Sequence, residues 1–152
     1  MLKKLKQFLG LKRRDKLLFI EAFCTLAFVR ATMLLLPFER LTRGLTQKHD
    51  KNWITLLPFH SMQHALRISW AICHAANNTP WESACLAQSL CARKMLQRQK
   101  IPGVFYLGVM KDETSKEKMK AHAWSEAGEK ILTGGTGYES YSVISVYTWG
   151  SQ

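Results

Sequence analysis

The sequence predicts an α+β domain in which helices come first and a small, mainly antiparallel sheet follows. Two observations carry this. Apolar residues recur with a helical period through the first two thirds of the chain, and beyond Pro102 they give way to short β-branched and aromatic runs. A third, the length of 152 residues, fits one domain over 1–152 that buries about two thirds of its unfolded surface. No internal repeat or low-complexity tract points instead to a solenoid or to disorder.

The elements follow in order. Residues 1–16 read as a basic N-terminal arm in which Lys3, Lys4, Lys6, Lys12, Arg13, Arg14 and Lys16 stand against Asp15 alone. That segment holds about half of the chain's net charge of +11. A solvated charged start is the simpler reading of the arm, and peripheral contact with a membrane the sharper one. The run LLFIEAFCTLAFVRATMLLLP, from Leu17 to Pro37, is apolar on nearly every side. Glu21 and Arg30 lie inside it, and a charge at a bilayer centre costs ~2.5–3.5 kcal/mol, so a buried helix ended by Pro37 is expected rather than a span.

A loop or short second helix continues through Arg43, Gly44 and the polar TQKHDKN. SMQHALRISWAICHAA then reads as a helix with Leu66, Trp70, Cys73 and Ala76 on its apolar face. His64 and His74 on it read as surface or boundary residues. NNTP breaks that helix. The next has two candidate caps: Thr79, in a capping box with Pro80 and Glu82, and Ser83, which would put Cys85 in the first turn. It runs through Arg98 and stops at QKIPG, closing a helical part over 17–98. The sheet part, 103–149, comprises VFYLGVM, a charged excursion KDETSKEKMK, AHAWSEA and EKILT around a hairpin at Gly128, and YSVISVYTW.

Four cysteines, Cys24, Cys73, Cys85 and Cys91, show neither CxxC metal spacing nor a dense disulfide pattern. The run after Lys16 lacks a small-residue cleavage site. Free thiols in a reducing cytoplasm are therefore expected, with no metal and no cofactor. The high positive charge makes an acidic partner plausible. A nucleic acid is disfavoured because no recognition motif and no interleaving of basic with aromatic residues accompany that charge.

On the Cys85 helix, Cys85, Gln88, Ser89, Ala92 and Leu96 share a face, whereas Cys91 points toward the apolar stripe of Leu86 and Leu90. Cys91 therefore reads as packing. Cys85, near the positive end of a helix dipole, is where a thiolate would be favoured. A nucleophile needs a base, and strand alternation puts His122 on one face with Trp124 and Glu126. The spacing is compatible with a Cys85–His122 pair and does not by itself establish one.

PWESACLAQSLCARKMLQRQKIPGVFYLGV, followed by AHAW and ILTGG, resembles the lasso-peptide biosynthesis B proteins of the transglutaminase-like, papain-like cysteine protease superfamily. The resemblance rests on Trp81, Cys85-Leu86, Gln88-Ser89-Leu90, Ile101-Pro102, Ala121-His122-Ala123-Trp124 and Thr133-Gly134-Gly135, with looser matches in RRDKLLFIEAF and LLLPFERL. It implies a leader peptidase with Cys85 as nucleophile and His122 as general base and then acid. It also implies three partners: the precursor's leader, a separate small leader-binding protein as in the split type of the family, and a macrolactam synthetase. The Cys85 backbone N–H is expected as an oxyanion donor, with Gln88 a weaker candidate. Many relatives have an Asp about a dozen residues after the histidine, where this chain has Gly134. Thr133, Glu139, a backbone carbonyl or a water could take its role. The missing Asp also motivates the alternative of a non-catalytic adaptor of the same fold that binds the leader or the maturation enzymes.

Overall fold

In the computed structural model, residues 8, 10–48, 56–114 and 118–150 are described. Among the described residues, four α-helices and five strands follow in the order α1 (Arg13–Leu35), α2 (Phe38–Leu41), β1 (Thr46–Lys48), α3 (Phe59–Ala76), α4 (Cys85–Arg98), β2 (Gly103–Lys111), β3 (Met119–Ala127), β4 (Lys130–Thr133) and β5 (Ser142–Trp149). The expected α+β plan is the one observed.

α1 begins at Arg13, so Arg13 to Lys16 are helical rather than part of an arm; residues 1–7 and 9 of that expected arm lie outside the described residues. Pro37 lacks the N–H that a continuing helix would need, and α1 closes with the Leu36 N–H on the Thr32 carbonyl at 2.8 Å. The expectation of a helix buried all round is corrected. Only Leu18, Ala22, Leu26 and Val29 are buried, one stripe at i, i+4, i+8 and i+11, while Leu17, Ile20, Phe28, Leu34 and Leu35 stay exposed.

α3 also departs in phase. Ala65, Ile68, Ala71, Ile72 and Ala75 are its buried residues, whereas the expected Leu66 is 42% exposed and Trp70, Cys73 and Ala76 are half-buried. Three alanines on one stripe allow close helix approach, which moves the larger side chains to the rim. There Trp70 lies against His74 with ring centroids 4.5 Å apart, and the His74 ring bonds the Trp70 carbonyl at 2.8 Å. His74 is exposed and His64 half-buried, as boundary residues would be.

The sheet is antiparallel throughout, in the order β1-β5-β2-β3-β4. β1 is an addition: its three polar residues carry no apolar alternation, and it exists by pairing Thr46 with Thr148 at the edge of β5. One face of the sheet receives the helices, with Phe105, Ala127, Leu132 and Trp149 joining the core of α1, α3 and α4. The other carries a separate cluster of Val104, Tyr106, Trp124 and Val146, covered by Tyr138, Tyr141 and Val143. α4 is the central helix, touching α1, α3, β2, β3 and β4.

Its C-terminus explains QKIPG. The Ile101 N–H reaches the Leu96 carbonyl and the Lys100 N–H the Gln97 carbonyl, both at 3.0 Å, which is the Schellman pattern. Lys100 occupies its left-handed position at φ 55°, Ile101 is buried, and Pro102 prevents continuation. A left-handed residue with a Cβ is strained. Lys100→Gly is therefore expected to raise stability by about 0.5–1 kcal/mol, read as a higher urea midpoint at unchanged slope. An unchanged or lower midpoint would show that the strain is absent.

Candidate active site

The site starts at the N-terminus of α4. Cys85 is the first helical residue and Ala84 the N-cap, which has no side-chain hydrogen bond. Neither Thr79 nor Ser83 caps the helix, contrary to both expectations. The Thr79 hydroxyl is engaged within the preceding loop, 2.9 Å from both the Trp81 carbonyl oxygen and the Ser83 hydroxyl. The first intrahelical bond here runs from the Gln88 N–H to the Ala84 carbonyl at 3.1 Å. The N–H groups of Cys85, Leu86 and Ala87 precede it and have no carbonyl within the helix to accept them. The Gln88 side chain donates through Nε2 to the Ser83 carbonyl at 2.8 Å, which pins the segment leading into Cys85.

The other wall comes from the sheet edge. His122 lies on β3 opposite Gly108, its ring between Tyr141 and Trp124 at centroid separations of 4.9 and 6.1 Å. Its Nε2 is 2.7 Å from the Gly134 carbonyl oxygen. A carbonyl only accepts, so Nε2 carries the hydrogen and the neutral ring keeps its lone pair on Nδ1. Cys85 and His122 line one open cleft of about 420 Å³, together with Cys73, Asn77, Gln88 and residues 131–136.

Gly134 stands where the resemblance implies an Asp, and its backbone makes the contact with the histidine. It has φ +70°, and a Cβ added there would lie 2.2 Å from the Ala123 carbonyl oxygen, so no side chain fits this conformation. Thr133 is committed elsewhere. Buried to 2% exposure, its hydroxyl lies 2.7 Å from the Ser125 hydroxyl and 3.2 Å from that of Ser89, joining β4, β3 and α4 beneath the cleft. Glu139 is exposed in a short 3₁₀ turn, Tyr138–Ser140. Of the protein groups that could replace the carboxylate, the backbone carbonyl is the one that meets the histidine.

Two contributors were not singled out from sequence. Cys73 and Asn77, one turn apart at the end of α3, line the cleft, and the Ser69 hydroxyl donates to the Leu132 carbonyl, holding β4 against α3. The i, i+4 spacing of Cys73 and Asn77 just before NNTP was a usable signal, obscured by reading Cys73 as part of the apolar face. Burial pushes the Cys73 thiol up, with a smaller opposing effect from Ser69. Cys91 is fully buried, its Sγ 3.8 Å from the Ala22 carbonyl oxygen and 3.9 Å from Met95 Sδ. Burial first, and the charge of Glu21 second, push its thiol far up, outweighing Lys94.

A cysteine opening a helix and a histidine on the neighbouring sheet, facing one cleft over an α+β core, is the layout of a thiol acyl-transfer fold. The model of the transglutaminase-like superfamily matches residues 30–146, and the chain belongs to that superfamily. No curated protein and no solved structure matches the chain.

Two outcomes follow from this geometry. Gly134→Asp should lower stability by about 1–3 kcal/mol in chemical denaturation, because the left-handed φ and the contact with Ala123 both oppose a side chain. A variant as stable as wild type would mean that this turn is freely remodelled. Alkylation of the native protein should spare Cys91 while modifying the exposed Cys24 and the half-buried Cys85, as mapped by peptide mass. Equal labelling of Cys91 before and after denaturation would contradict its burial.

Proposed function

We propose that this chain is a cysteine peptidase that removes the leader from a ribosomally made lasso-peptide precursor, before a separate synthetase closes the macrolactam. The observation that carries the reading is the shared cleft: Cys85 opens α4 on one side, and His122 is held by its Nε2 on the Gly134 carbonyl on the other. The superfamily match supports thiol chemistry. The finer assignment rests on the resemblance of the Cys-Leu helix, the Ile-Pro turn and the AHAW strand to the lasso B proteins.

In this reading Cys85 Sγ attacks the scissile carbonyl carbon while Nδ1 of His122 takes the thiol proton. The developing oxyanion meets the N–H groups at the start of α4, that of Cys85 first. Gln88 contributes less, because its Nε2 already donates to Ser83. Collapse of the tetrahedral adduct breaks the C–N bond, and His122 returns its proton to the departing core-peptide amine. A leader thioester on Cys85 remains. Water, deprotonated by His122, hydrolyses it to the free leader acid and the thiol. A separate leader-binding protein would deliver the precursor, and the freed amine would become the substrate of the synthetase. Cytoplasmic processing fits this sequence of events.

The test is cleavage of a cognate precursor with its leader-binding protein present, followed by mass spectrometry. Cys85→Ala and His122→Ala should each lose about a thousandfold or more in rate, while Cys91→Ala keeps the wild-type rate within about threefold. Cleavage by Cys85→Ala would remove the nucleophile assignment. A wild-type protein that binds the leader and does not cut it would instead be the adaptor.

A further inference from the structure

The outward face of α1 has no role in the proposed chemistry. Leu17, Ile20, Cys24, Phe28, Ala31 and Leu35 follow one another at three- and four-residue steps, opposite the buried stripe of Leu18, Ala22, Leu26 and Val29. Exposure is 62% at Leu17, 49% at Ile20, 54% at Phe28 and 80% at Leu35, which is unusual for large apolar side chains in sequence along one helix. The stripe is about 27 Å long at 1.5 Å per residue.

Its border is cationic. Lys94 of α4 holds Nζ 4.7 Å over the Phe28 ring, and Arg98 beside it pairs with Glu21 at 2.9 Å. Arg40, Arg43 and Lys94, all exposed, line a groove of about 260 Å³ next to Phe28, floored by Val29, Leu36 and Leu90. Arg93 lines the same groove, donating to the Leu41 and Arg43 carbonyls. Arg13 and Arg14 are exposed at the other end of the helix. Of the three acids on α1 and α2, Asp15 and Glu21 are paired, with Arg67 and Arg98, and Glu39 is exposed.

We propose that this face of α1 lies on an anionic lipid surface, with the apolar stripe at the acyl boundary and the headgroup phosphates on Lys94, Arg40 and Arg43. A convex apolar ridge edged by cations suits a planar anionic interface. A second copy fits poorly, because a two-fold contact over α1 would bring like charges together. Crossing the bilayer is opposed by the fold: the helix is long and apolar enough, yet its buried stripe is already packed in the core.

Sedimentation with vesicles tests this, using pure phosphatidylcholine against phosphatidylcholine with about one third phosphatidylglycerol. Wild type should bind the anionic vesicles about tenfold more than the neutral ones, and the difference should shrink in high salt. Two double variants, Phe28→Ser with Leu35→Ser and Arg40→Glu with Lys94→Glu, should each lose about tenfold or more in binding with unchanged circular dichroism. The proposal is overturned if wild type stays off anionic vesicles, or if the serine variant sediments as wild type does. It is equally overturned by a dimer, or a complex with a leader-binding protein, that forms without lipid and is lost in the serine variant.

Discussion

The buried contact of Ser89, Thr133 and Ser125 ties together the helix that carries Cys85 and the two strands that carry His122 and lead into Gly134. Three hydroxyls from α4, β4 and β3 meet where the helix crosses the sheet, two of them fully buried and the third nearly so. Each is small enough for the backbones to approach, and Thr133 is the shared partner, so its removal would leave both serine hydroxyls unsatisfied, at about 1–3 kcal/mol per buried group. Everything proposed to act lies close by in sequence. Cys85 is one helical turn before Ser89, Gly134 directly follows Thr133, and His122 is three residues before Ser125. A sheet sliding along α4 would break these bonds before it moved the cleft walls apart.

The second constraint is the left-handed turn at Gly134. Within the proposed chemistry, a carboxylate partner would both orient the imidazole and stabilise the imidazolium that forms on it. A peptide carbonyl does the first, and the second only through its dipole. The Gly134 carbonyl is held by backbone geometry rather than by a rotamer, so the ring is oriented without a flexible side chain. The aromatic contacts with Tyr141 and Trp124 restrict the ring further.

Much of this was legible in the sequence where local rules and tertiary packing agree. The plan of helices then sheet, the stop at Ile101-Pro102, the hairpin at Gly128 and the burial of Cys91 all followed from period, turn chemistry and helical phase. Helix phase failed at α3 because alanines, weak signals in any hydrophobic pattern, make its buried stripe. β1 was invisible because a three-residue polar edge strand exists only through its partner. α1 looked buried all round because composition cannot say which apolar face finds a neighbour. The histidine's partner could be narrowed to a short set from sequence, but a backbone carbonyl carries no residue-type signature.

The proposed chemistry requires that Cys85 and His122 work as a pair with the ring anchored through Nε2. A crystal structure of the protein after reaction with a leader peptide ending in a vinyl sulfone tests it most directly. A single thioether on Cys85 Sγ is expected, with His122 Nδ1 turned toward that sulfur and Nε2 still on the Gly134 carbonyl. A thioether on Cys73 or Cys24, or a His122 ring that binds Gly134 through Nδ1 and turns away from the sulfur, would contradict it.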